Sequence, residues 1–90
     1  MTPYPTDAVE TELVDILSMC AEHEHELRTM FGAESERTIT QAGESLPDGI
    51  RRYLNRLESR GIVRRSTVED GVWELTETGV ALADEGRRRQ

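Results

Sequence analysis

Apolar residues recur along the first third of the chain at helical intervals. Val9, Leu13, Ile16, Cys20, Leu27 and Met30 follow alternating steps of four and three, with one gap that His23 fills. Leu17 and Phe31 widen the stripe. With Asp7 as N-cap and neither Gly nor Pro inside it, the pattern predicts one long helix from about Ala8 to Phe31, ended by Gly32. Ahead of it, Met1 to Thr6 carries two prolines and reads as a flexible tail.

The next helix is weakly marked. Ile39-Thr40 followed by Gln41 to Leu46 predicts a short one, with Thr40 as cap and Ala42 and Leu46 facing inward. Gly43 inside it is unfavourable by roughly 1 kcal/mol relative to alanine. Signals then strengthen. Ser45-x-x-Asp48 is compatible with a capping box in which Asp replaces Glu, or Asp48 is itself the cap, and Pro47 suits the first turn, where its missing N–H would be unpaired anyway. Ile50, Leu54 and Leu57 fall at i, i+4 and i+7, which turns Arg51, Arg52, Asn55, Arg56 and Ser59 away from the apolar face. Gly61 ends this helix in the left-handed conformation. Ile62 and Val63 open a β-rich run through Val68, Glu69-Asp70-Gly71 signals a turn, and Val72 to Leu75 pairs back. A short C-terminal helix over 80–88 follows, on Val80, Ala81, Leu82 and Ala83. The predicted class is mainly α with a small β-hairpin, α+β.

Composition limits the choices. Ninety residues make one domain with room for one small core. Cys20 is the single cysteine and has no internal disulfide partner. No cationic apolar leader opens the chain, and no apolar run approaches the roughly 18 residues of a membrane span, so a reducing, cytoplasmic setting is expected.

Charge changes the picture more. All eleven basic residues are arginine, against eighteen acids, for a net charge of -7. This resembles the proteins of salt-loving archaea, where dense carboxylates hold hydrated cations; an ordinary acidic bacterial protein is the alternative. Distribution then decides whether nucleic acid is a candidate partner. Residues 1–46 hold ten acids and two arginines, whereas residues 47–65 hold six arginines and two acids. Of these two stretches only the second, the helix near Asp48 and the strand after it, is net positive.

The pieces Arg52 to Val63, RYLNRLESRGIV, and Trp73 to Gly79, WELTETG, resemble the winged helix-turn-helix regulators of the MarR, PadR and haloarchaeal phage-repressor-like groups. The resemblance covers about half the chain. It implies a sequence-specific DNA-binding transcriptional regulator, working as a homodimer whose long amino-terminal helix, with the C-terminal helix, forms the interface. In such proteins the threonine of the second segment, here Thr76, caps the C-terminal helix. The helix starting near Asp48 would enter the major groove, about 12 Å wide, with Arg51, Arg52 and Asn55 reading base edges and Arg56, Arg60, Arg64 and Arg65 on phosphates. Two departures stand out: the first helix of the pair is poorly marked, and the wing tip carries Glu69 and Asp70 where minor-groove wings carry arginine or lysine. The alternative reading is a winged-helix protein-interaction module without direct DNA binding, whose arginine helix docks a still more acidic partner; for the individual arginines, the plainer reading is that several pair with Glu58 or Glu44 on a solvated surface.

Cys20-Ala-Glu-His23-Glu-His25 is the one cluster with metal-ligand chemistry. On a continuous helix Cys20 and His23 share a face while His25 points the other way, and no second cysteine completes a tetrahedral set. The expectation is therefore no metal, no cofactor and no small-molecule substrate, with Cys20 as a small core residue and His23 in the helix seam. Tyr53 and Trp73 are expected to pack rather than stack on bases. No nucleophile with its base, phosphate loop or carboxylate dyad is recognisable, so the chain does not read as an enzyme.

Overall fold

A computed structural model describes residues 8–88. The Met1–Thr6 tail and the N-cap expected at Asp7 lie outside the described residues. The elements run α1 (Ala8–Met19), β1 (Glu22–His23), α2 (Glu24–Met30), α3 (Ala33–Gln41), α4 (Leu46–Ser59), β2 (Val63–Arg65), β3 (Val72–Leu75) and α5 (Glu77–Arg88). The fold is mainly helical with a small antiparallel sheet of order β1-β3-β2. No described helix is long and apolar enough to cross a membrane.

The long helix expected over 8–31 does not form. The chain leaves α1 after Met19, and Glu22 and His23 pair with Trp73 and Val72 of β3 as a third strand. The Glu24 N–H then donates to the Gly71 carbonyl at 2.8 Å before α2 begins. Cys20 and His23 are weak helix formers, and the edge of β3 gives the backbone of Glu22 and His23 alternative partners. Leu27 of α2 and Phe31 at its C-cap are buried in the same core, whereas Met30, expected on the stripe, is 43% exposed. The missing apolar residue at His23 was the mark of the break.

The weakly marked helix does form, but upstream of its expected place. It covers Ala33–Gln41, with Ile39 and Ser35 buried. Thr40 lies in its last turn instead of capping its start, and Ala42 is its exposed C-cap. Gly43, at φ 85, carries the chain out of the helix, a conformation in which glycine has no side-chain penalty. Leu46 belongs to the first turn of α4, partly buried against the core.

From there the observed elements follow the expected order. Ser45 caps α4, its hydroxyl accepting from the Asp48 N–H at 3.3 Å, and Pro47 sits in the first turn. Gly61 has φ 75 after the helix end. β2 and β3 pair as a hairpin with Arg64 opposite Glu74 and Arg65 opposite Trp73. α5 begins three residues earlier than expected, because the Thr76 hydroxyl accepts the Gly79 N–H at 3.1 Å and so caps it.

One core joins these parts. Val9, Leu13, Ile16 and Leu17 of α1 meet Leu27, Ile39, the apolar face of α4 (Ile50, Tyr53, Leu54, Leu57), Val63, Trp73 and Leu82. α4 packs against α1, α2, α3 and β2, and is therefore held on several sides with one strip left to solvent.

Candidate nucleic-acid interface

Burial of Ile50, Tyr53, Leu54 and Leu57 fixes the rotation of α4 about its axis. The positions left exposed are Pro47, Asp48, Arg51, Arg52, Asn55, Arg56, Glu58 and Ser59. Arg51, Arg52 and Asn55 thus share one solvent-facing strip, with Asp48 one turn closer to the helix start. Tyr53 and Trp73 are in the core, as their bulk led us to expect. The Arg52 guanidinium lies 4.6 Å from the Tyr53 ring centre and that of Arg65 lies 5.0 Å from Trp73.

Every arginine between 47 and 65 has a carboxylate partner. Arg51 Nη2 is 2.9 Å from Glu24 Oε2, and Arg52 Nη2 is 2.6 Å from Glu44 Oε1 with its Nε also bonded to the same carboxylate. Arg64 Nε reaches Glu74 at 2.7 Å across the hairpin, and Arg65 lies 3.9 Å from Glu58. Arg56 and Arg60 both turn to Glu10, at 3.9 Å for Arg56 and by a close pair of hydrogen bonds for Arg60. The positive segment of the linear sequence is therefore largely compensated in space. Glu10, Glu24 and Glu44, counted with the acidic half, fold directly onto α4.

These pairs differ in burial. The Arg51 and Arg52 side chains are 68% and 42% exposed, so water competes for them and each pair is weak. The Arg52 bonds hold the Glu44 carboxyl below the ordinary carboxylate range, and the Glu44 bonds raise Arg52. Glu10, by contrast, is 0% exposed, and Arg60 is mostly covered. Arg60 is a strut between α1 and the end of α4, which removes it from the set of residues free to meet a phosphate.

Glu24 has a second bond. Its Oε1 accepts from Trp73 Nε1 at 3.0 Å while Oε2 accepts from Arg51 Nε at 3.0 Å. One carboxylate therefore connects the start of α2, the exposed strip of α4 and the middle strand of the sheet. These residues line a cleft of about 430 Å³ together with Arg65, Ser66 and Asp70. At the hairpin tip the Ser66 hydroxyl accepts from the N–H groups of Val68 and Glu69, and Val68 is left 94% exposed beside Glu69 and Asp70.

The sequence points to Glu44 and Glu58 as arginine partners but not to Glu10, Glu24 or Glu74. Glu10 did carry a signal: it precedes Leu13, Val14 and Leu17 at i+3, i+4 and i+7, and so occupies a position on a buried helix face. Glu24 carried none, since its partners lie 27 and 49 residues away.

The cysteine–histidine cluster is not built as a helix face. Cys20 is exposed rather than buried, and its thiol donates to Glu22 Oε1 at 3.0 Å, which with partial desolvation raises its pKa and favours the protonated thiol. His23 is in β1, 3.8 Å from Glu69. Its ring lies 5.2 Å from that of His25, so the expected opposition of the two histidines fails along with the long helix. Among the described residues, no three His, Cys, Asp or Glu side chains are grouped to hold a metal ion.

Compared with protein-family models, curated proteins and solved structures, the chain matches none.

Proposed function

We propose that this protein is a sequence-specific DNA-binding transcriptional regulator of winged helix-turn-helix type, with α3 and α4 as the helix pair and β2–β3 as the wing. The observation that carries the reading is the exposed strip of α4: two arginines and an asparagine on one face, near the start of a helix whose other faces are packed. Arginine is suited to guanine O6 and N7 and asparagine to adenine N6 and N7, each good pair giving about 1–3 kcal/mol of discrimination. Arg51, Arg52 and Asn55 are the base readers in this proposal. Arg56, Arg64 and Arg65, with side chains 49%, 63% and 66% exposed, are the phosphate contacts, and Arg60 is withdrawn from that role.

The proposal includes a homodimer, so that two α4 helices meet half-sites about one turn of DNA apart. With the long amino-terminal helix gone, the surface offered for pairing is α5 and the end of α1, where Val80 and Met19 are exposed. Light scattering at high salt checks this, and a monomer at all concentrations removes the dimer from the proposal.

A protein-interaction module is the second reading, favoured by the carboxylate partner of each arginine and by the acidic hairpin tip. Replacing Arg51 and Arg52 together with alanine separates the two. Loss of binding to selected genomic fragments, with folding intact, supports the regulator; binding left unchanged in the double variant sinks it.

A further inference from the structure

We infer that Glu24 and Glu44 are positioning residues that bias Arg51 and Arg52 toward bases over phosphates; this rests on the DNA-reading proposal above. A guanidinium has two edges able to make paired hydrogen bonds. In both arginines the carboxylate takes the same one: Arg51 uses Nε and Nη2 on Glu24, and Arg52 uses Nε and Nη2 on Glu44. Neither carboxylate uses the other edge, formed by Nη1 and the outer Nη2 hydrogen. That free edge also presents two parallel N–H groups and can meet guanine O6 and N7 side by side. The carboxylate and a guanine can therefore hold the guanidinium together.

A phosphate gains far less from such an arginine. Its attraction is mainly to net charge, and the adjoining carboxylate cancels that charge while repelling the phosphate oxygens. Geometry reinforces the difference. Glu24 is only 21% exposed and Glu44 26% exposed, so each carboxylate is anchored more firmly than the arginine it holds. Glu24 is fixed further by Trp73 Nε1. The acids thus orient the readers and lower the background attraction to any DNA, which raises the preference for the correct sequence.

The test uses the full chain, a duplex selected from genomic DNA and an unrelated duplex of equal length. Glu24→Gln and Glu44→Gln keep side-chain size, and the amide oxygen of Glu24→Gln can still accept from Trp73. Each variant is expected to bind the unrelated duplex up to about fivefold more tightly, with the preference for the selected duplex falling by a similar factor. The slope of log affinity against log salt should steepen by about 0.9 for each arginine that now takes a phosphate. Arg52→Lys is the second variant: it keeps the charge but lacks the two-edged plane, and is expected to lose preference while still binding unrelated DNA. Folded variants with unchanged preference and unchanged slope overturn the inference alone. If the unmodified protein binds no duplex, the DNA-reading proposal falls, and this inference with it.

Discussion

The two ends of α4 carry the same pair of functional groups and put them to opposite uses. Near its end, Arg60 closes on Glu10, a carboxylate with no exposure to solvent. Near its start, Arg51 and Arg52 hold Glu24 and Glu44 at the surface. Removing one partner of a buried pair leaves a charge without solvation and costs about 3–5 kcal/mol, whereas exposed pairs contribute about 0–1 kcal/mol. The helix therefore has a fixed end and an exchangeable end. Burial, not the identity of the residues, decides which arginine belongs to the fold and which is available to a partner.

The largest expected effect breaks the fixed end. Glu10→Ala removes the buried carboxylate that Arg60 and Arg56 share, and should lower stability by up to about 3–5 kcal/mol. In a domain of this size that moves the melting temperature by roughly 4–8 °C per kcal/mol. Replacing Glu10 and Arg60 together with methionine should restore most of the loss, since the buried charges leave as a pair. If thermal melts show Glu10→Ala to be no worse than Glu44→Ala, the distinction between the two ends is wrong.

The same contrast explains what could be read along the chain. Local signals were legible: the capped start of α4, its apolar face, the glycine after it and the hairpin turn each depend on neighbours within a few residues. Pairings across the chain were not. The break of the expected long helix depends on β1 meeting β3, which lies about fifty residues on, and a stripe that stays in phase across the gap conceals it. Charge failed for the same reason. A cluster of six arginines looks strongly positive in sequence, but Glu10, Glu24 and Glu44 reach it from elsewhere through the packing of α1, α2 and the α3–α4 turn. The strip of Arg51, Arg52 and Asn55 was legible because helix periodicity alone sets it.

A smaller effect tests how the fixed end continues into the hairpin. The Thr76 hydroxyl lies 2.5 Å from the Gly61 carbonyl and 3.1 Å from that of Ile62, and accepts the Gly79 N–H as the cap of α5. Thr76→Val keeps the shape and removes all of these bonds, and should cost about 1–2 kcal/mol in urea denaturation. Gly79 is tight against the same turn, where a methyl group would overlap the Ile62 carbonyl. Gly79→Ala is therefore expected to destabilise despite alanine's better helix propensity. A gain in stability would mean that the turn after α4 yields easily, and that the fixed end stops at Arg60.

The smallest effect belongs to the exchangeable end and is visible only in its pH dependence. Glu44 has its carboxyl pKa lowered by the Arg52 hydrogen bonds from the ordinary 4.5. A carboxyl whose pKa is lower in the folded state adds stability that is complete above the unfolded value and disappears as pH falls through the folded one. The unmodified protein should therefore be slightly more stable than Glu44→Gln at neutral pH, and the gap should close as the solution is acidified below about pH 4.5. Measuring both by urea denaturation across that range isolates the ion pair, because the amide keeps the shape and cannot ionise. A gap that stays constant into acid would assign the contribution to packing and not to the ion pair with Arg52.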